Sequence, residues 1–389
     1  MDFDKIPFIL GDKMKKIGVL THYYDSLNYG GNLQAYALTK VLLNKDFNCQ
    51  QISFVKENGV VDSSIKGKVK KIIKIPLVLC RKYISIKHNL SQTRKEAFEN
   101  FNKNIIPHSE KIYSKENIKD CVEDYDAFIT GSDQVWNFAW YNPEFFLGFA
   151  PSSKKKISYA ASIGRDYITD EQKEIFRNSL KDFDAVSVRE PSSIKLIEDL
   201  SPVPVVSTLD PTLLLGKEDW DKVSSKRLIE EEYIFCYFLG DYKKTRKIVN
   251  EFAKKHGLKI ACIPYTAGIV LSDRKFGDYR LIDASPEDFI SLIKHAKYVF
   301  TDSFHAVVFS HIYGKEFFVF NRDKRALMSG RIKDITSLFA CPERYCGTSD
   351  KMTLDYIEGL PALDYSRETE EFVNKKRESI EFLENNLKD

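Results

Sequence analysis

Two α/β domains, each built on a mostly parallel sheet, are predicted for this 389-residue chain by three observations. Short apolar runs alternate with segments whose apolar residues recur at helical spacing, which is the pattern of repeated strand–helix units. The first run opens through a polar, glycine-containing loop into a helix, as a Rossmann-like unit does. A charged run, Ser224 to Glu232, then separates one such series from a second. The division falls at residues 1–225 and 226–365, with 366–389 left as a terminal helix that packs back on the body.

In order, Ile17 to Thr21 reads as the first buried strand, Tyr23 to Asn32 as the polar loop and Leu33 to Leu43 as the helix. Gln51 to Phe54, Asp126 to Thr130, Ile157 to Ser162, Ala185 to Val188 and Val203 to Leu209 are further strands of the first series. In the second, Tyr233 to Leu239 is a strand, Lys244 to His256 a helix and Lys259 to Ile263 a strand. Ser285, followed by Pro286, Glu287 and Asp288, has the look of a helix start. Tyr298 to Phe300 and Phe317 to Phe320 are two more strands, and Arg367 to Leu387 is the last helix. Between the series' early strands, a basic helical insertion spans about 64–104. Its lysines, among them Lys66, Lys70 and Lys74, interleave with Ile72, Ile73, Ile75 and Leu77. Either this is a solvated lysine face, or it is a basic amphipathic surface that approaches an anionic membrane; Pro76 breaks or kinks it.

Composition narrows the function. Lys+Arg of 59 against Asp+Glu of 56 gives a net charge of +3, too weak for a dedicated nucleic-acid binder. No window approaches the roughly 20 apolar residues of a membrane span, and Phe3 to Leu10 lacks the pattern of a secretory signal. The seven cysteines are scattered without a CxxC pair, which fits reduced cytosolic thiols. Cys341 and Cys346 have no second pair or histidine nearby in sequence, so no metal site is expected.

Candidate chemistry collects where strands end. Thr301 to Ser310 places Ser303 and His305 between a strand and a helix. There, ligands of open α/β sheets bind, and free helix N–H groups favour anions. Asn28, Gly30, Gly31 and Asn32 lie between the first strand and first helix and offer backbone N–H groups to phosphate or carboxylate. Gly131, Ser132, Asp133, Gln134, Trp136 and Asn137 follow a strand directly. They read equally as a sugar site with Trp136 as its flat face, or as a helix cap with Trp136 in the core. Arg189 suits bidentate capture of an anion, or a simple ion pair with Glu190. Asp210 also ends a strand, and Lys324, Arg325 and Arg331 follow the strand after His305.

Together these stretches resemble the polysaccharide pyruvyl transferase family. The matching pieces are the run Asn28 to Leu38, Gly131 to Asn137, Ser187 to Glu190, Asp210-Pro211, Thr301 to His305 with Ser310, Tyr313-Gly314-Lys315, and Arg331. The resemblance implies two Rossmann-like domains facing across a cleft, in a GT-B-like arrangement. It implies phosphoenolpyruvate as donor substrate, with no cofactor. The acceptor would be a sugar of a cell-surface polysaccharide or its lipid-linked precursor, the product a pyruvate ketal and the by-product phosphate. His305 and Arg189 take the catalytic positions of the family. The loop Arg322 to Arg325 supplies a cation, although the resemblance does not choose which. Ala306 and Lys315-Glu316 depart from the family's usual residues and leave acceptor choice open. A cytosolic protein is expected, working at the inner membrane face if its acceptor is lipid-linked. Two rival readings remain at this stage: a GT-B glycosyltransferase using a nucleotide sugar, and a glycan-binding relative without catalysis.

Overall fold

The computed structural model describes residues 15–56, 92–265, 270–273, 275–322, 330–348 and 350–388. Most of the basic insertion, together with Lys324 and Arg325, lies outside them. The fold class is the one expected: two parallel sheets, each flanked by helices.

The first sheet contains β1 (Lys16–Leu20), β2 (Asn48–Phe54), β3 (His108–Tyr113), β4 (Ala127–Thr130), β5 (Lys155–Ala161), β6 (Ala185–Val188) and β7 (Val205–Ser207). Its order is β3-β2-β1-β4-β5-β6-β7, with every pairing parallel. The second contains β8 (Tyr233–Tyr237), β9 (Lys259–Cys262), β10 (Tyr279–Arg280), β11 (Tyr298–Thr301) and β12 (Glu316–Val319), in the order β10-β9-β8-β11-β12. Each is a Rossmann-type order, and each reverses once, between β1 and β4 and between β8 and β11. Ligands of such sheets bind in the crevice at that reversal. The central strands are apolar throughout because helices cover both faces: Ala127–Thr130 and Tyr233–Tyr237 are wholly buried. β3 and β10 escaped prediction for the opposite reason. They are edge strands, and His108–Tyr113 exposes Glu110, Lys111 and Ile112.

One hydrophobic core runs through both halves, joining Leu33 and Leu38 of the first to Phe289, Val307 and Phe309 of the second. Tyr29 carries much of the join. It stacks on Phe289 with centroids 5.0 Å apart, packs edge-on against Tyr237 and Phe98, and donates its hydroxyl to Ala284 O at 2.7 Å. The last helix, Glu370–Leu387, is started by Thr369, whose hydroxyl caps Phe372 N. It returns to the first sheet, where Leu209 N donates to Ser379 Oγ at 2.9 Å and Phe382 meets Tyr159. Among the described residues no helix is long and apolar enough to cross a membrane.

Candidate active site

The first helix, Tyr29–Leu43, begins earlier than the sequence suggested, because Asn28 caps it by accepting from Gly31 N at 3.2 Å. Gly31 and Asn32 therefore sit inside its first turn rather than in an open anion loop. Asn32 is fully buried, with its amide donated to Ser26 O and Asn28 O. A Cβ on Gly31 would lie 2.4 Å from His22 O. Gly30 has a different reason to be glycine. A Cβ there would lie 1.9 Å from His305 Nδ1 and 2.5 Å from two other atoms of the same ring. The first turn of this helix thus closes directly onto His305, which stands in the first turn of the helix Phe304–Ile312 after β11.

His305 is buried, with 6% of its surface exposed. Its Nε2 lies 3.5 Å from Asp210 Oδ2, an ion-pair distance that is long for a hydrogen bond. Asp210 is more deeply buried and forms the hub of the site. It accepts from Arg189 Nη1 at 2.9 Å, Ser132 Oγ at 3.2 Å and the Thr212 hydroxyl at 2.7 Å. Burial opposes its ionisation, but His305, Arg189 and Thr212 outweigh burial and hold its carboxyl well below the usual range. Asp210 was expected to touch substrate; it borders a cavity described below, but only 1% of its surface is exposed. Arg189 departs from expectation in a similar way. Its guanidinium is bound by Glu190 at 3.0 Å and Asp133 at 3.2 Å as well as by Asp210, and lies 4.3 Å from the Phe304 ring centroid. Three carboxylates hold it charged against the cost of burial. Of its nitrogens, Nη2 alone lacks a hydrogen-bond partner among the described residues, so it organises the carboxylates more than it captures an anion.

A cavity of about 420 Å³ opens beside this cluster at the carboxyl ends of both sheets. His22, Asn28, Lys56, Asp133, Gln134 and Trp140 line it from the first domain; Tyr237, Tyr265 and Arg322 line it from the second. A second cavity of about 420 Å³ meets the same cluster through Arg189, Asp210, Phe304 and Arg331. Cations crowd here. Arg331 is pushed down to about 9, by burial first and then by repulsion from Arg322 and Arg189. Lys56 is pushed down to about 8 by burial, with Asp133 and Asp25 partly compensating. His22 falls to about 3, through burial and then Lys56, and its Nε2 lies 3.2 Å from Gln134 O. Burial is the main cause at all three, and a neighbouring cation adds to it at Arg331 and His22.

Of the residues singled out from sequence, Asn28, Asp133 and Gln134 reach the first cavity, and Arg189, Asp210 and Arg331 the second. Gly131 and Ser132 support rather than face them: a Cβ on Gly131 would lie 2.2 Å from Tyr159 O, and Ser132 N donates to Gln34 Oε1 at 3.0 Å. Ser303 is buried, its N–H donated to Thr301 Oγ1 at 3.0 Å. Trp136 corrects the sugar-face reading. It is 1% exposed and stacks on Phe146 at 5.5 Å in the core. Asn137 is buried too, its amide donated to Gln134 Oε1 at 2.6 Å. From the same stretch of sequence it is Trp140 that reaches the cavity, 47% exposed, with Nε1 donated to Gln134 O. His22, Lys56 and Trp140 were missed. Only the position of the first two, just past β1 and β2, marked them.

Residues 28–324 match the model of the polysaccharide pyruvyl transferase family. The chain belongs to that family. Family membership makes it one of a group of transferases that act on polysaccharide. No curated protein matches the chain. Solved structures match over most of its length at low identity. UDP-N-acetylglucosamine 2-epimerase from Rickettsia bellii is 11% identical, covering 96% of this chain and 97% of that one, with a TM-score of 0.49. An uncharacterized protein from Klebsiella pneumoniae is 14% identical, covering 86% and 93%, with a TM-score of 0.44. UDP-GlcNAc 2-epimerase from Neisseria meningitidis, bound to UDP-GlcNAc, is 10% identical, covering 96% and 100%, with a TM-score of 0.43.

Proposed function

We propose that this member of the polysaccharide pyruvyl transferase family uses phosphoenolpyruvate to place a pyruvate ketal on a sugar of a cell-surface glycan or its lipid-linked precursor. The observation that carries the reading is the cleft at the carboxyl ends of both sheets, which carries Lys56 and Arg322, beside the cavity that Arg189, Asp210 and Arg331 line, with His305 3.5 Å from Asp210. The donor brings a carboxylate and a phosphate, and these cations are the groups to hold them and to stabilise charge on the departing phosphate. A sugar hydroxyl adds to the enol carbon as a proton reaches the methylene, which becomes a methyl group. Phosphate leaves, and the second hydroxyl captures the resulting oxocarbenium-like carbon and releases its proton. His305 delivers and accepts these protons, a role that contributes typically ~10²–10⁴-fold. Asp210 orients the ring, and Arg189 keeps Asp210 ionised. Trp140 offers the acceptor ring a face.

Gly30 packs on Nδ1 and Asp210 faces Nε2, so the two hold the ring in one orientation. The protein works on the cytoplasmic side, where phosphoenolpyruvate is made, and meets the membrane when its acceptor is lipid-linked. The test incubates the full chain with phosphoenolpyruvate and candidate glycans. A mass gain of one pyruvate ketal with equimolar phosphate release, lost in His305→Ala, is expected. Thermal stabilisation by a nucleoside diphosphate and none by phosphoenolpyruvate would overturn the reading.

A further inference from the structure

Beside the cleft cavity lies a larger one, about 670 Å³, wholly within the first domain. It runs between the helix Gln92–Asn104 and strands β2 and β3 at one end of the sheet, and it shares Ser26 and Leu27 with the cleft cavity. The two spaces are therefore neighbours through one short stretch of the loop after β1. The chemistry of their walls differs. The cleft sets Lys56 and Arg322 against one carboxylate, Asp133. The groove sets three carboxylates, Asp25, Glu99 and Glu110, against two ammonium groups, Lys95 and Lys103. Lys95 is already taken up by Glu99 at 3.6 Å. Such a wall gives no advantage to a small double anion. Leu27, Val55, Phe98 and the half-exposed Ile112 give it an apolar lining, joined by the partly exposed ring of Tyr24. Apolar lining, an aromatic ring and carboxylates together suit a polyhydroxylated, uncharged ring: its C–H faces pack on the apolar groups and its hydroxyls donate to the carboxylates. The size lies within the range of about 300–1,000 Å³ that holds small ligands, and exceeds that of the cleft cavity.

We propose that this groove is an extension subsite that holds the uncharged sugar units adjoining the one modified in the cleft. The inference rests on the reading of the chain as a pyruvyl transferase, and it makes the acceptor an oligosaccharide rather than a single sugar. Saturation-transfer NMR on the full chain, with a panel of uncharged hexose and N-acetylhexosamine mono-, di- and trisaccharides, tests it directly. At least one di- or trisaccharide should bind more tightly than its component monosaccharides. Tyr24→Ala and Ile112→Arg should each weaken that binding about tenfold or more, the first by loss of an aromatic contact and the second by filling the groove. Tyr24 is partly and Ile112 half exposed, and circular dichroism checks that both variants fold. Equal binding in wild type and both variants would overturn the proposal, as would no preference for length or no saccharide binding at all. Phosphoenolpyruvate-dependent thermal stabilisation, measured on the same samples, separates the two ideas. If it is absent while length-dependent binding persists, the donor assignment fails and the groove stands.

Discussion

Replacing Gly30 by alanine isolates the contact on which the proposed chemistry depends. The added methyl would lie 1.9 Å from His305 Nδ1 and 2.5 Å from Cγ and Cε1. All three belong to one rigid ring, so no flexible end can bend aside. Reaching even a 3.0 Å separation moves the ring or the helix by about 1 Å. Two effects on stability oppose each other. Alanine is favoured over glycine in a helix by up to about 1 kcal/mol, whereas forcing an extra methyl into a packed seam costs about 1–3 kcal/mol. The net is a modest destabilisation, on the order of 1–2 kcal/mol, that leaves a folded protein. Catalysis is far less tolerant, since a 1 Å misplacement of a reacting group costs about 10²-fold, or about 2.7 kcal/mol of barrier. The assay is kcat for phosphate release from phosphoenolpyruvate in the presence of acceptor, with Tm measured in parallel. A large loss of kcat with a small fall in Tm is expected. A variant with wild-type kcat would show that the closed seam between Gly30 and His305 plays no part in turnover.

Three further outcomes follow from the electrostatics. Asp210 titrates below its unfolded range of about 3.9, so the stability it contributes is present above that value and is lost as pH falls through its folded pKa. Asp210→Asn should lower Tm at pH 7, and the gap to wild type should close below about pH 4; a constant gap would contradict the assignment. Lys56 loses its proton near pH 8 in the free protein. KM for phosphoenolpyruvate should rise as pH passes upward through about 8, a break that Lys56→Met abolishes while raising KM at neutral pH. Because its folded pKa is lowered, Lys56 also costs stability below about pH 8, and that cost fades between about 8 and 10.5. His22 should give NMR ring shifts that do not titrate between pH 5 and 8, with stability falling as pH drops from about 6.5 toward 3. A titration midpoint near 6.5 would place His22 in solvent.

The interior strands were readable because burial on both faces leaves an apolar run that few other structures produce. Ala127–Thr130 and Tyr298–Thr301 needed no other information. Edge strands keep that mark only where their residues stay apolar, as in β7 and β12; β3 exposes Glu110, Lys111 and Ile112 and β10 is two residues long, which is why they went unseen. Site residues were readable in so far as they terminate strands. Their partners were not, since partnership is set by the sheet order. Asp210 looked like a strand end, and only the placement of β7 and β11 on facing domains makes it the neighbour of His305. The Trp136 and Trp140 pair shows the limit well. Both lie in the same aromatic stretch, and local sequence cannot say which ring the turn Phe138–Trp140 directs into the cavity and which it leaves stacked on Phe146. Gly30 is a like case. Its lack of a side chain answers to a ring far away in the chain, not to the anion loop its neighbours suggested.

Tyr29 has a consequence for engineering. With its hydroxyl anchored on Ala284 and its ring seated among Phe289, Tyr237 and Phe98, each half of the chain supplies part of the other's interior. A chimera that takes its amino-terminal portion from one transferase and its carboxyl-terminal portion from another would inherit a plug without its socket. Exchange of specificity between relatives is therefore better attempted by grafting the loop after β1 and the wall of the neighbouring groove than by swapping halves.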